Sequence, residues 1–193
     1  MLLKSGGNIM NAAEYRESLR RYEPRVFVGG QQVDCVADSP QLMPGINAVG
    51  VTYEFAQRPE YGGLMLETQA SSGKTVNRML HINRHSEDLL SKLEAVRLVC
   101  RESGCAQRYL THDALNAIHQ TTWSMDQDAG GEYYPRFLDY LHQIQDADLT
   151  LGVAMTDAKG DRTRRPHAQD NPDVYVHISE RRSDGIVIKG TKA

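Results

Sequence analysis

The stretch Gly152-Val-Ala-Met-Thr-Asp-Ala-Lys-Gly-Asp-Arg162 marks the place where the pattern of the sequence changes. Leu149 to Thr156 is strand-like, and the chain then enters a polar turn that contains one glycine, one lysine and one arginine. Such a strand exit can present backbone N–H groups and two cations, Lys159 and Arg162, to an anionic cofactor. On composition alone, a solvated turn explains the same residues.

The sequence that follows this turn is also strand-like. Apolar and polar residues alternate from Val174 to Ser179, a turn signal lies at 182–185, and Ile186 begins another apolar run. Three such strands have one face to bury and edges to pair. We therefore expect 147–193 to be the opening strands of a β domain, which a complementary chain or a continuation completes.

The preceding part, 1–146, is predicted to be a mainly helical domain. Asn11 and Glu14 form a capping-box pattern at a first helix, and a hairpin near 25–36 turns on two glycines, with Cys35 in its second strand. Ser86 is the expected N-cap of a long helix. Its apolar stripe is predicted to consist of Leu89, Leu93, Val96 and Cys100. Two further helices are expected from about Asp113 to Trp123 and from near Pro135.

Composition limits the classes of function. The chain has 193 residues, 40% of them hydrophobic, and a formal net charge of -3, which is typical of a soluble globular protein and a poor match to nucleic acid or anionic lipid. We expect no membrane span and no signal peptide, and hence a cytoplasmic protein. The three cysteines do not form the even pattern of a secreted disulfide scaffold.

Several segments, in order and spacing, resemble the flavoenzyme family of 4-hydroxybutyryl-CoA dehydratase and 4-hydroxyphenylacetate 3-hydroxylase. The matching segments are Glu14-Tyr15, Ser18–Arg20, Val51–Gln57, Gly73–Arg78, Asp113–Ala117, Thr121-Thr122, Ala154–Arg162, Ala168-Gln169, Asn171–Asp173 and Asp184–Ala193. Together they span nearly the whole chain, which makes the set far more specific than any one of its members.

The resemblance implies an α+β, acyl-CoA-dehydrogenase-like fold. Members have an N-terminal helical domain, a central β domain and a C-terminal helical bundle, and normally assemble as tetramers. This chain would supply the first domain and the opening strands of the second, with the C-terminal bundle absent from it. In the family the turn lines the FAD, and the cofactor-binding residues carried over are Met155, Thr156, Lys159, Gly160, Asp161, Arg162 and Gln169.

Two departures from the family bear on the reaction. The dehydratase holds a [4Fe-4S] cluster with two cysteines four apart on one helix; the first corresponds to Cys105, but the second position is Tyr109. Cys100 lies five residues before Cys105 and is a poor substitute, so a cluster is doubtful. The hydroxylases place a histidine just before the turn, where this chain has Val153.

Three hypotheses follow. The first is part of an FAD-dependent enzyme that dehydrates or isomerises a small acyl-CoA or related acid. The second is the oxygenase component of a two-component aromatic hydroxylase, and the third is a non-catalytic subunit or truncated product. The catalytic acid and base are not identified. Asp113, His112 and His119 could line a substrate pocket, whereas His81 and His85 are expected to be structural rather than metal-binding.

Overall fold

The computed structural model describes residues 9–193, and its first helix, α1 (Ala12–Leu19), begins where the sequence predicts. The Asn11 side chain accepts a hydrogen bond of 2.9 Å from the Glu14 N–H, and the Glu14 carboxylate accepts one of 2.9 Å from the Asn11 N–H. The predicted capping box is therefore confirmed. It satisfies two N–H groups that a helix start leaves without partners.

Replacing Asn11 by alanine is expected to lower the free energy of unfolding by about 1 kcal/mol, because the cap of α1 is lost. The measurement is urea unfolding followed by circular dichroism. The matched control is Asn47→Ala, an exposed asparagine inside a helix, where alanine is the better helix former. An equal loss in both variants would contradict the role of the cap.

Five more helices follow in the first part of the chain. They are α2 (Met43–Gln57), α3 (Pro59–Met65), α4 (Ser86–Ser103), α5 (Tyr109–Ala129) and α6 (Tyr133–Asp146). Two apolar clusters hold them together. One consists of Phe55, Ala56, Met65, Met79, Ala95 and Val99. The other consists of Leu80, Ile82, Leu115, Phe137, Leu141 and Ile144. The predicted helix from Pro135 is confirmed, with Phe137, Leu141 and Ile144 buried, and α5 begins four residues before the predicted start.

Two short hairpins lie among the helices. The predicted one is reduced to β1 (Phe27–Val28) and β2 (Gln31–Gln32), joined by two glycines with φ of 57° and 81°. Cys35 was wrongly predicted to be a strand residue: it precedes a 3₁₀ turn, Val36–Asp38, and the Arg20 side chain binds Asp38 there. The second hairpin, β3 (Leu66–Thr68) with β4 (Thr75–Asn77), was not predicted.

Helix α4 buries a face that matches the predicted one only in part. Leu89 and Leu93 are 45% and 43% exposed, and the buried residues are Asp88, Lys92, Ala95 and Val99. The prediction is thus wrong for Leu89 and Leu93, whose places are taken by Asp88 and Lys92 with their polar partners His81 and Asp113. The predicted Val96 is half-buried and packs against the first apolar cluster. The predicted N-cap is also wrong by one residue: His85 occupies that position and Ser86 begins the helix.

The chain divides into two compact units, Met1–Leu151 and Gly152–Ala193. The second unit contains β5 (His177–Arg182) and β6 (Gly185–Lys189), an antiparallel hairpin in which Ile178 faces Ile188. This hairpin and its turn at 182–185 were predicted. Val174 lies instead in a 3₁₀ turn, Pro172–Val174.

The predicted strand at 149–156 does not form among the described residues. The segment has no regular secondary structure, and the one β-bridge described next to it joins Asp157 to Lys192. A strand needs a paired neighbour along its length, and no described strand runs beside this segment. Within 9–193, no helix combines the length and the apolar character that crossing a bilayer requires.

Candidate functional site

The turn at 155–162 lies in the second unit and is open to solvent. Met155 is 68% exposed, and Thr156, Lys159 and Arg162 are exposed as well, whereas Gly160 is half-buried. Among the described residues, neither Lys159 nor Arg162 takes part in an ion pair or side-chain hydrogen bond. The two cations are thus free to meet an external anion.

The side chain of Gln169 closes the far end of this turn. Its Oε1 accepts a hydrogen bond of 2.9 Å from the Asp161 N–H, and its Nε2 donates to the Asp161 carbonyl oxygen at 2.8 Å. A Cβ added at Gly160 would collide with Gln169 Oε1 and lie 2.9 Å from Val174 Cγ1. A side chain at position 160 would therefore require the Gln169 amide to shift from its place beside the turn.

The Asp161 carboxylate is used inside the turn. Its Oδ1 accepts hydrogen bonds from the Thr163 N–H at 2.9 Å and from the Thr163 hydroxyl at 2.6 Å. These bonds lower the pKa of Asp161 below its usual value. Thr163 was not among the predicted site residues, although an aspartate two residues before a threonine is a common turn pattern.

The near end of the turn is joined to the last residues of the chain. The Ala193 N–H donates to the Thr156 carbonyl oxygen at 2.9 Å, and Lys192 Nζ lies 2.5 Å from Asp157 Oδ1. Lys192 also donates to the Met155 carbonyl oxygen at 3.3 Å. Because Lys192 neutralises Asp157, the unpaired charge of the turn is positive.

Cys105, the predicted cluster ligand, is exposed and lies between α4 and α5, outside any helix. Helix α4 ends at Gly104, which has φ of 69°, and Tyr109 is the first residue of α5. The argument from helical spacing between Cys100 and Cys105 is therefore wrong. Residues 9–193 contain no group of three or more His, Cys, Asp or Glu side chains that could hold a metal ion. This chain's own side chains do not fit a complete cluster, and Cys105 as a ligand stays a prediction.

A buried ion pair, Arg108 with Asp148, lies in the first unit close to that loop. Arg108 Nη2 is 3.5 Å from Asp148 Oδ1, and the two side chains are 0% and 1% exposed. The guanidinium also donates to the Leu149 carbonyl oxygen at 3.0 Å and stacks on Tyr53, 4.5 Å from the ring centre. Sequence reasoning missed this pair, since nothing local distinguishes one arginine or aspartate from the others.

Asp148 is surrounded by groups from several elements. Its Oδ2 accepts from the Met10 N–H at 3.0 Å, and its carbonyl oxygen accepts from the Tyr53 hydroxyl at 2.7 Å. Burial raises the pKa of Asp148, and the charge of Arg108 acts against that rise. Burial likewise raises the pKa of Tyr53 to about 12. The pair is thus a structural link between α2, the start of α5 and the segment after α6.

A second polar group joins α4 to α5, in which Lys92 and His112 are buried and Asp113 is exposed. Lys92 Nζ lies 2.5 Å from Asp113 Oδ1, and His112 Nδ1 lies 3.7 Å from the same oxygen. Burial, and next the charge of Lys92, lowers the pKa of His112 to about 4. His81 is also fully buried, 3.4 Å from Asp88, and burial lowers its pKa. His119 instead contacts the Tyr134 hydroxyl at 3.1 Å. Among the described residues no hydrogen bond or ion pair joins His119 to His112 or Asp113, so a pocket lined by all three stays a prediction.

Comparison with known proteins agrees with the family resemblance. The family described as 4-hydroxyphenylacetate 3-hydroxylase N terminal matches residues 11–193. The chain is 42% identical over 186 residues to the 4-hydroxybutyryl-CoA dehydratase/vinylacetyl-CoA-Delta-isomerase of Clostridium aminobutyricum, covering 96% of this chain and 38% of that protein. It is 25% identical over 181 residues to the 4-hydroxyphenylacetate 3-monooxygenase oxygenase component of Thermus thermophilus, covering 93% of this chain and 37% of that protein.

Solved structures show the same fold. An oxygen-tolerant archaeal 4-hydroxybutyryl-CoA dehydratase from N. maritimus superimposes with a TM-score of 0.89 at 37% identity, covering 96% of this chain and 37% of that one. An oxygenase component of 4-hydroxyphenylacetate 3-monooxygenase, complexed with FAD and 4-hydroxyphenylacetate, gives 0.80 at 22% identity over 94% of this chain and 37% of that one. The chain thus spans less than two-fifths of these relatives, and it belongs to the family defined by the N-terminal part of 4-hydroxyphenylacetate 3-hydroxylase.

Proposed function

We propose that this chain is the N-terminal part, or a subunit, of an FAD-dependent cytoplasmic enzyme that dehydrates or isomerises a small acyl-CoA or related acid. The 42% identity to a protein named for dehydratase and isomerase activities carries this proposal. In the complete protein we assign 1–146 to a helical domain and 147–193 to the opening strands of a β domain. The rest of the active site would come from polypeptide equivalent to the part of the relatives that this chain does not cover.

The turn at 155–162 fits a flavin by its chemistry. The residues that would hold FAD are Met155, Thr156, Lys159, Gly160, Asp161 and Arg162, with support from Gln169. The two exposed cations, unpaired within 9–193, suit an anionic phosphate or an electron-rich ring edge, because charge-assisted bonds are strong and directional. The Thr156 hydroxyl can donate a hydrogen bond, and the exposed Met155 offers an apolar contact.

Bound flavin would supply electron transfer, which lets a C–H bond next to a carbonyl be activated. The chain's own part would be to bind and orient. Lys159 and Arg162 would stabilise negative charge on the cofactor, while the closed backbone of the turn would keep their positions fixed. No step is assigned to an iron-sulfur cluster, since the resemblance matches only Cys105 of this chain to a cluster ligand.

The alternative is the oxygenase component of a two-component aromatic hydroxylase. The matching family is named for that activity, and the oxygenase component from Thermus thermophilus is 25% identical to this chain. Against it stands Val153 in place of the histidine that the resemblance leads us to expect before the turn. Iron content and oxygen consumption with reduced flavin separate the two reactions.

We also propose that the complete protein is a homo- or hetero-oligomer, as the family resemblance implies. The hairpin β5–β6 leaves Ile186 and Ile188 54% and 63% exposed, and its strands have open edges among the described residues. In α4, Leu89, Leu90 and Leu93 are exposed as well. Each of these two groups of exposed apolar side chains, taken by itself, is typical of a surface that other protein covers.

The test uses the chain in its native assembly, purified without oxygen together with whatever copurifies. We expect the absorption of FAD, with about one flavin per chain, and no oxygen uptake with reduced flavin. Changing Lys159 or Arg162 to glutamine is expected to weaken FAD binding about tenfold each, because one charge-assisted contact is lost.

Arg181→Gln is the control, since it removes an exposed arginine of β5 in the same unit. A colourless assembly that also fails to bind added FAD would overturn the proposed cofactor. A non-catalytic role would be indicated by flavin binding without turnover of any acyl-CoA or phenol. Oxygen uptake with a phenol would favour the hydroxylase.

A further inference from the structure

We infer that Gln169 is a positioning residue for the turn at 155–162 and not a hydrogen-bond donor to the cofactor. Its amide holds the backbone of the turn so that Lys159 and Arg162 are displayed toward an anionic ligand. This inference rests on the proposed function. It divides the predicted site residues into those that bind the cofactor and those that hold the backbone of the turn in place.

Both hydrogen-bond donors of Gln169 are taken up inside the turn. Nε2 has two hydrogens, and it donates to the carbonyl oxygens of Asp161 at 2.8 Å and Arg164 at 3.2 Å. Oε1 accepts from the Asp161 N–H at 2.9 Å. With both hydrogens in use, no donor of this side chain remains for a flavin.

Packing around Gly160 shows the same role. The Gln169 amide lies directly beside Gly160, where a methyl group would collide with it. The Asp161 carboxylate is directed to Thr163 and also lies 3.4 Å from Arg164 Nε. Thus Gly160, Asp161 and Gln169 form the support of the turn, and Lys159 and Arg162 are its unpaired charges.

Only an amide of this length makes these bonds. Glutamate at 169 keeps the acceptor but loses both donors and places a negative charge beside two carbonyl oxygens. Methionine keeps the length and loses every hydrogen bond. Gly160→Ala disturbs the same contact from the other side, which gives a second and independent variant.

The experiment uses the native assembly and measures FAD affinity, amide hydrogen exchange at Asp161 and the midpoint of thermal unfolding. In Gln169→Met and Gly160→Ala we expect exchange at Asp161 to be about tenfold faster and FAD binding about tenfold weaker. Because the contacts are local to an exposed turn, we expect the thermal midpoint to move little. His167→Ala, in an exposed neighbouring position, should change none of the three.

Faster exchange at Asp161 with unchanged FAD affinity in both variants would overturn the positioning role. Unchanged exchange would overturn the hydrogen-bonded support itself. A fall in thermal midpoint that fully accounts for the loss of FAD would reduce Gln169 to a folding residue. Failure of the proposed function is seen separately, in wild-type protein that binds no flavin.

Discussion

Replacing Arg108 by methionine is expected to lower the free energy of unfolding by about 3–5 kcal/mol. The substitution keeps much of the apolar stem but leaves Asp148, 1% exposed, without its cation. Burial already raises the pKa of Asp148, and without Arg108 that pKa should rise further. Part of the loss will therefore be relieved by protonation of the carboxyl group.

Urea unfolding at pH 7 measures this effect, and the matched control is Arg136→Met. Arg136 forms an ion pair with Glu132 at 3.2 Å, but both side chains are more than 70% exposed, so its loss should cost less than about 1 kcal/mol. The double variant Arg108→Met with Asp148→Asn should recover part of the stability, because no buried charge remains. Equal losses in the buried and exposed pairs would show that Arg108 is not a structural link.

Acidification is expected to destabilise the first unit through His112. Its pKa is about 4 in the folded chain and near 6.5 when unfolded, so both states are neutral above pH 6.5 and the stability is fully present there. As the pH falls from 6.5 toward 4, the His112 imidazole binds a proton in the unfolded state but stays neutral in the folded state. We expect up to about 3 kcal/mol to be lost across this window.

The check is the slope of unfolding free energy against pH, between pH 7.5 and 4.5, in wild type, His112→Asn and His167→Asn. Only the His112 variant should have a shallower slope, whatever its absolute stability. His81 and Asp148 also titrate with shifted pKa values, and comparison with wild type cancels their contributions. A slope unchanged by His112→Asn would contradict the assignment.

The predictability of the fold from sequence depended on how far apart the interacting residues lie in the chain. The capping box of α1 and the hairpin β5–β6 rest on contacts a few residues apart, and both were predicted. The buried face of α4 rests on Lys92 meeting Asp113, 21 residues away, and was predicted only in part. Hydrophobicity alone favoured Leu89 and Leu93, because it does not count the ion pair that allows Lys92 to be buried.

The candidate site shows the same division. The turn was singled out by composition and by resemblance to a family, and its cations are exposed as an anion site needs. The partners that shape it, Thr163 and Lys192, were not predicted as site residues, because their role appears only when the backbone is folded. Gln169 stays a predicted site residue, and its hydrogen bonds to Asp161 and Arg164 support the positioning role that we infer for it.

The backbone at Arg108 and Asp148 limits how this family can vary. Both have left-handed conformations, with φ of 63° and 44°, which glycine adopts at lower cost than any other residue. A substitution by glycine at one position would relieve the backbone strain there, but it would leave the charge of the other residue buried without its partner. We therefore expect these two sites to change together or not at all, so that descendants of this sequence carry them as one inherited unit.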